Sequence, residues 1–134
     1  MNSKVGVWVD HREAIIVSFS DAGEKTTRIQ SGAESQLRRS SDHTTGTFEP
    51  MMVPSDDIRE RKFQAELNTF YDEVISHLRH AQSILICGSG EARKELKNRM
   101  EAKHPSVGNV VVEAADSMTE AQVVAKIRKH FQSK

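Results

Sequence analysis

The chain opens with apolar residues at every second position. Val5, Val7 and Val9 share one side of an extended backbone and Trp8 lies on the other, which predicts a strand over Val5–Val9. A turn at Asp10-His11-Arg12-Glu13 leads into Ala14–Phe19, β-branched and apolar at successive positions, as in a strand covered on both faces. Asp21-Ala22-Gly23-Glu24 closes a second hairpin, and Lys25–Gln30 alternates weakly enough to be an edge strand. Three antiparallel strands are expected before residue 31.

Residues 31–57 are dominated by Ser, Thr, Asp, Glu, Arg, His, Gly and Pro, with few apolar positions before Phe48, Met51, Met52 and Val53. A stretch of this length without periodicity is usually functional or disordered; a short strand around Phe48–Val53 is the one element it suggests. Then the period changes. Phe63, Leu67, Phe70, Val74 and Leu78, spaced four, three, four and four, form one stripe of a helix over about 58–80. Asp56 and Asp57 supply its negative start and Arg79 and His80 its basic end, both favourable to the helix dipole.

A strand at Ser83–Cys87, a Gly88-Ser89-Gly90 turn and a helix from Glu91 to about Ala102 follow, and His104-Pro105 stops that helix. Asn109–Glu113 predicts another strand. Ser117-Met118-Thr119-Glu120 has capping-box form and opens a last helix with Val123, Val124, Ile127 and Phe131 inward. The order β-β-β-α-β-α-β-α implies an α/β fold with a mixed five-stranded sheet and helices on both faces. Single-helix crossovers make its C-terminal strands parallel. This is the order of ribonuclease-H-like folds and of several translational-machinery components.

Composition narrows the setting. A chain of 134 residues has room for one core, so a single domain over 1–134 with a long polar loop is expected. Its longest apolar runs, Ser83–Cys87 and Val110–Val112, are far shorter than a membrane span, and no export signal is recognisable at Met1-Asn2-Ser3-Lys4. The single cysteine, Cys87, permits no disulfide framework, and a reducing, cytoplasmic setting is the natural expectation. Nineteen basic and 19 acidic residues give zero formal charge, unlike the usual nucleic-acid binder.

Chemistry is most plausible at the strand-to-helix turn Gly88-Ser89-Gly90, where small residues expose backbone N–H groups to an anion. The turn lacks the Lys-Ser/Thr of a Walker loop and the three glycines of a dinucleotide fingerprint, and Glu91 would repel an anion. A tight strand-to-helix turn is the simpler explanation. Arg93, Lys94 and Lys97 follow on the helix, and Arg38, Arg39, Arg59, Arg61 and Lys62 bracket the polar loop; together they form the candidate phosphate-binding set. Solvated helix faces built from opposite-charge pairs account for many such runs. No histidine has zinc-site spacing, and neither metal nor cofactor is expected. Asp10, at the end of the first strand, is placed to be one carboxylate of a two-metal nuclease, yet its partners are missing and an aspartate capping its own turn suffices. Ser89 lacks nucleophile-elbow spacing, and Cys87 suits a core.

Val5-Gly6-Val7-Trp8-Val9-Asp10, the hairpin into Ala14-Ile15-Ile16-Val17, the long helix, and above all Gly88-Ser89-Gly90-Glu91-Ala92-Arg93-Lys94-Glu95-Leu96 resemble the central domain of eukaryotic and archaeal peptide chain release factors and of Pelota. Small bacterial stand-alone relatives of that domain look similar too. The resemblance implies a mixed-sheet fold and contact with the ribosome, tRNA or other RNA. Release factors carry Gly-Gly-Gln between the third strand and the long helix, where it positions the hydrolytic water. Here that interval has Gly32-Ala33-Glu34 and Thr45-Gly46-Thr47, so peptide release is not carried over. A non-catalytic translation-associated module is the leading expectation. The alternatives are a metal-dependent nuclease or peptidyl-tRNA hydrolase, and a protein-interaction module that forms a homo-oligomer through an edge strand or an apolar helix face, with Phe48, Met51, Met52 and Val53 as exposed anchors.

Overall fold

The computed structural model describes residues 3–32, 56–105 and 107–132, with side chains in the second stretch from Glu60 onward. The suggested strand at Phe48–Val53, its exposed anchors, most of the 31–57 loop, and Arg38 and Arg39 lie outside the described residues, as does the Arg59 side chain.

Five strands and three helices are described. β1 (Lys4–Val9), β2 (Glu13–Ser20) and β3 (Gly23–Gln30) form the antiparallel meander; α1 (Asp56–Leu78), β4 (Ser83–Gly88), α2 (Ala92–Lys103), β5 (Asn109–Ala114) and α3 (Glu120–Gln132) follow. The sheet order is β3-β2-β1-β4-β5. β1 is antiparallel to β2, with Val7 opposite Ile16, and parallel to β4, with Val7 beside Ile86. β4 and β5 are parallel. This is the mixed α/β sheet that the sequence predicts, with helices on both faces.

The pleat sorts side chains into two cores. Val5, Val7, Val9, Ala14, Ile16, Ile84 and Ile86 meet Leu67, Phe70, Tyr71, Val74, Leu78, Leu96 and Met100 of α1 and α2. Trp8, Ile15, Val17, Leu85 and Cys87 meet Val123, Ile127 and Phe131 of α3. Each fully buried aliphatic side chain contributes about 1.5–3 kcal/mol, so the two-sided strands β1 and β4 dominate stability. The Trp8 indole N–H donates to the Asp116 carbonyl at 3.2 Å, which satisfies its one polar atom. Gly6 lets α3 sit close to the sheet, because a Cβ there would collide with the Ile127 side chain.

Four expectations shift in detail. The first long helix begins at Asp56, so the aspartates occupy its first turn. Its buried face is wider than the single stripe, because Tyr71 and Ile75 add a second row beside Leu67 and Leu78. The cap of α3 lies two residues beyond the predicted box: Thr119 Oγ1 accepts the Gln122 N–H at 3.2 Å, and Gln122 Oε1 accepts the Thr119 N–H at 2.9 Å. Two overlapping capping patterns exist in the sequence, and the one that turns Val123, Ile127 and Phe131 onto the sheet is used. Val124, expected inward, is partly buried.

Charged clamps tie the layers. The Arg99 guanidinium grips Asp72 of α1 at 2.7 and 2.9 Å, with Lys103 at 3.4 Å, and Arg128 of α3 grips Glu24 of β3 at 2.8 Å. The Arg99 hydrogen bond holds the Asp72 carboxyl below its ordinary 3.8.

Gly6→Val is expected to lower stability by about 1–3 kcal/mol in urea denaturation, and pairing it with Ile127→Ala to cost less than the two single changes summed. Because the folded Asp72 pKa is depressed, its clamp contributes stability above the unfolded carboxyl value and loses it as pH falls through the folded value. The stability gap between wild type and Asp72→Asn is therefore expected to be flat from about pH 7 to pH 5 and to close in more acid solution.

Candidate functional site

The C-terminal ends of β1 and β4 lie side by side, Val9 beside Gly88. Gly88 permits this approach, since a Cβ there would run into the Val9 carbonyl oxygen. The two turns beyond the strands enclose a shallow cavity of about 220 Å³ lined by Asp10, His11, Arg12, Ser89, Gly90 and Glu91. Asp10, Gly88, Ser89 and Gly90, far apart in sequence, are thus brought to one sheet end.

Asp10 is 9% exposed. Its Oδ1 accepts the N–H groups of Arg12 at 2.8 Å and Glu13 at 2.9 Å, and its own N–H donates to the Glu13 carbonyl at 3.0 Å. Oδ2 lies 3.5 Å from the Arg12 guanidinium. The carboxylate holds its own hairpin, the role that a turn aspartate plays without any chemistry. Among the described residues no group of three or more His, Cys, Asp and Glu side chains converges as metal ligands.

His11, passed over by motif reasoning, is the hub of this end. Its Nε2 lies 3.1 Å from Glu95 Oε1, and the Tyr71 hydroxyl donates to the same oxygen at 2.7 Å. Its ring meets Phe63 edge-on, with centroids 6.1 Å apart, and its carbonyl accepts the Ser31 hydroxyl. The Ser31 N–H donates to the Arg12 carbonyl at 2.8 Å. One turn is therefore tied to α1, to α2 and to the chain leaving β3. Burial, then the Glu95 hydrogen bond, raises the Tyr71 phenol well above its usual value, so it remains a donor. The only trace of this cluster in the sequence is the four-residue row Leu67-Tyr71-Ile75, which places Tyr71 inward.

The candidate cations separate into classes. Arg93 is folded back: its guanidinium donates to the Gly90 carbonyl and lies 3.5 Å from the Gly88 carbonyl, bracing the turn from within. Lys94 and Lys97 lie 4.0 and 3.9 Å from Glu91 and Glu101 on their own helix. Arg61 and Lys62 are exposed, and neither has an ion pair among the described residues. Adjacent Phe63, packed on His11, fixes that stretch of α1 at the β1–β4 end. Arg12, also exposed, joins them there and was not among the sequence candidates. Cys87 is buried, its thiol donates to the Val7 carbonyl at 3.4 Å, and burial pushes its pKa up to about 11, which leaves no nucleophilic thiolate near neutrality.

No family model and no curated protein matches the chain. Among solved structures it is similar to the Pelota protein of Thermoplasma acidophilum, with TM-score 0.51 and 18% identity over 99% of this chain and 32% of that one. It also aligns with an archaeal translation termination factor, aRF1, with TM-score 0.48 and 13% identity over 98% of this chain and 39% of that one. A type IV pilus biogenesis complex, PilM–PilN, aligns with TM-score 0.49 and 7% identity over 94% and 42%. The chain thus spans about a third of the Pelota chain, and the likeness is one of fold: a Pelota-like α/β domain. No helix among the described residues is long and apolar enough to cross a membrane.

Asp10→Ala leaves the Arg12 and Glu13 N–H groups without their acceptor and is expected to cost about 1–2 kcal/mol in denaturant unfolding. Asp10→Asn keeps an acceptor oxygen and is expected to cost less than half as much; equal losses would assign Asp10 another role.

Proposed function

We propose that the chain is a translation-associated binding module that contacts the phosphate backbone of ribosomal RNA, tRNA or other RNA and does no chemistry on it. The observation that carries this reading is the exposure of three cations: Arg12, beside Asp10 at the β1–β4 end, and Arg61 and Lys62, which precede Phe63, the ring that meets His11 there. The groups that could have served a reaction there are committed to the fold: Asp10 to its turn and Cys87 to the core. Arg38, Arg39 and Arg59 remain candidates by sequence for the same contact, and Lys94 and Lys97 of α2 each lie beside a carboxylate that dilutes any contribution.

The shared Pelota-like fold and the Gly88–Leu96 resemblance to release factors support a translation setting. The missing Gly-Gly-Gln argues against peptide release. Zero net charge fits a local surface: elsewhere Arg99 and Lys103 are paired with Asp72, Arg128 with Glu24 and Lys126 with Glu113.

Cosedimentation with ribosomes, or filter binding to single-stranded RNA, is expected at low salt and to weaken steeply as salt rises. Removing Arg12, Arg61 and Lys62 together is expected to flatten the log–log salt slope by about 2, at roughly 0.7 per phosphate contact. Failure to bind either target at low salt would dispose of the reading.

A further inference from the structure

We propose that two copies of the chain associate through β5, antiparallel and centred on Val111, so that their sheets join across a two-fold axis. β5 ends the sheet, and one row of its N–H and C=O groups has no strand beside it among the described residues. The two edges are guarded differently. β3 carries Glu24, Lys25 and Arg28, charges of the kind that discourage further pairing. β5 reads Asn109-Val110-Val111-Val112-Glu113-Ala114, and its three valines are each only partly buried.

This segment is complementary to itself. In antiparallel register about Val111, Val111 meets its own copy, Val110 meets Val112 of the second copy, and Asn109 meets Glu113 of the second copy. The last two pairings occur twice by symmetry. Apolar side chains face apolar ones, and an amide donor faces a carboxylate. The face of each pair is already set within one chain: Val110 and Val112 lie towards α1 and α2, while Val111 lies towards α3, where Glu113 reaches Lys126 at 3.2 Å.

The flanking helix agrees. Lys97 and Glu101 of α2 share a groove with Val107, Gly108, Asn109 and Val110, beside the exposed edge. α2 packs over β4 and β5. A two-fold axis at the edge therefore sets the two α2 helices antiparallel and about two strand spacings apart, roughly 10 Å, an ordinary distance for packed helices. Antiparallel helices place Lys97 of one copy towards Glu101 of the other. A strand of one charge sign would meet like charge at Lys97 or Glu101, whereas a second copy meets the opposite sign at both.

Sedimentation velocity on the full chain tests the interface. The mass is expected to rise from 15.0 kDa towards twice that value as concentration increases from about 1 to 100 µM, the weak range of a small interface. Position 109 is exposed, so both of its variants keep the fold. Asn109→Asp sets two carboxylate pairs across the seam and is expected to weaken the dimer about tenfold, while Asn109→Lys is expected to leave it at least as tight. A single-chain mass throughout would overturn the proposal, and so would a dimer that responds alike to Asp and to Lys at position 109.

Discussion

The described fold is built around β1, the one strand among the described residues that is hydrogen-bonded antiparallel on one flank and parallel on the other. Both of its faces are covered, so Val5, Val7 and Val9 serve the α1–α2 core while Trp8 serves the α3 core. A strand held on four sides has little freedom in position, and the register of β2 and β4 follows from it. Gly6 completes the arrangement by leaving room for Ile127, so the seat of α3 depends on an absent side chain in the middle of β1.

The same strand decides where exposed chemistry can occur. Its parallel pairing with β4 brings two unrelated turns together, and Gly88 lets them approach. Asp10 and His11 then lock this end, one by accepting backbone N–H groups and the other by bridging α1, α2 and the exit from β3. Such a locked turn is a good platform for recognition, because Arg12 sits on backbone that need not be ordered on binding. Its carboxylate, Asp10, is already engaged by two backbone N–H groups and the Arg12 guanidinium.

Much of the architecture was legible from periodicity. The alternation at Val5–Val9, the doubly apolar run at Ala14–Phe19 and the stripe from Phe63 to Leu78 each report how a segment buries itself, and burial is what sheet and helix positions share. The places that were not legible involve choices between equivalent local patterns. Two capping boxes overlap before α3, and only the docking of Val123, Ile127 and Phe131 selects Thr119. Tyr71 and Ile75 joined the core because α1 touches both the sheet and α2, which no single-helix stripe can reveal.

The candidate site was legible in part. Gly88, Ser89, Gly90 and Asp10 stand out because turns use few residue types, and both turns do lie at one strand end. The roles of the cations did not follow from composition, since a charge count cannot say which arginine faces inward. Arg93 and Arg61 are the same residue type in similar helical surroundings, yet one braces the Gly88–Gly90 turn and the other is exposed. The sequence by itself determined the order and type of the elements and most of their buried faces, because these depend on neighbours within a few residues. Only the tertiary structure decided which strand ends meet, which charges are spent on pairing and which remain for a partner, because those depend on contacts between residues as much as 108 positions apart.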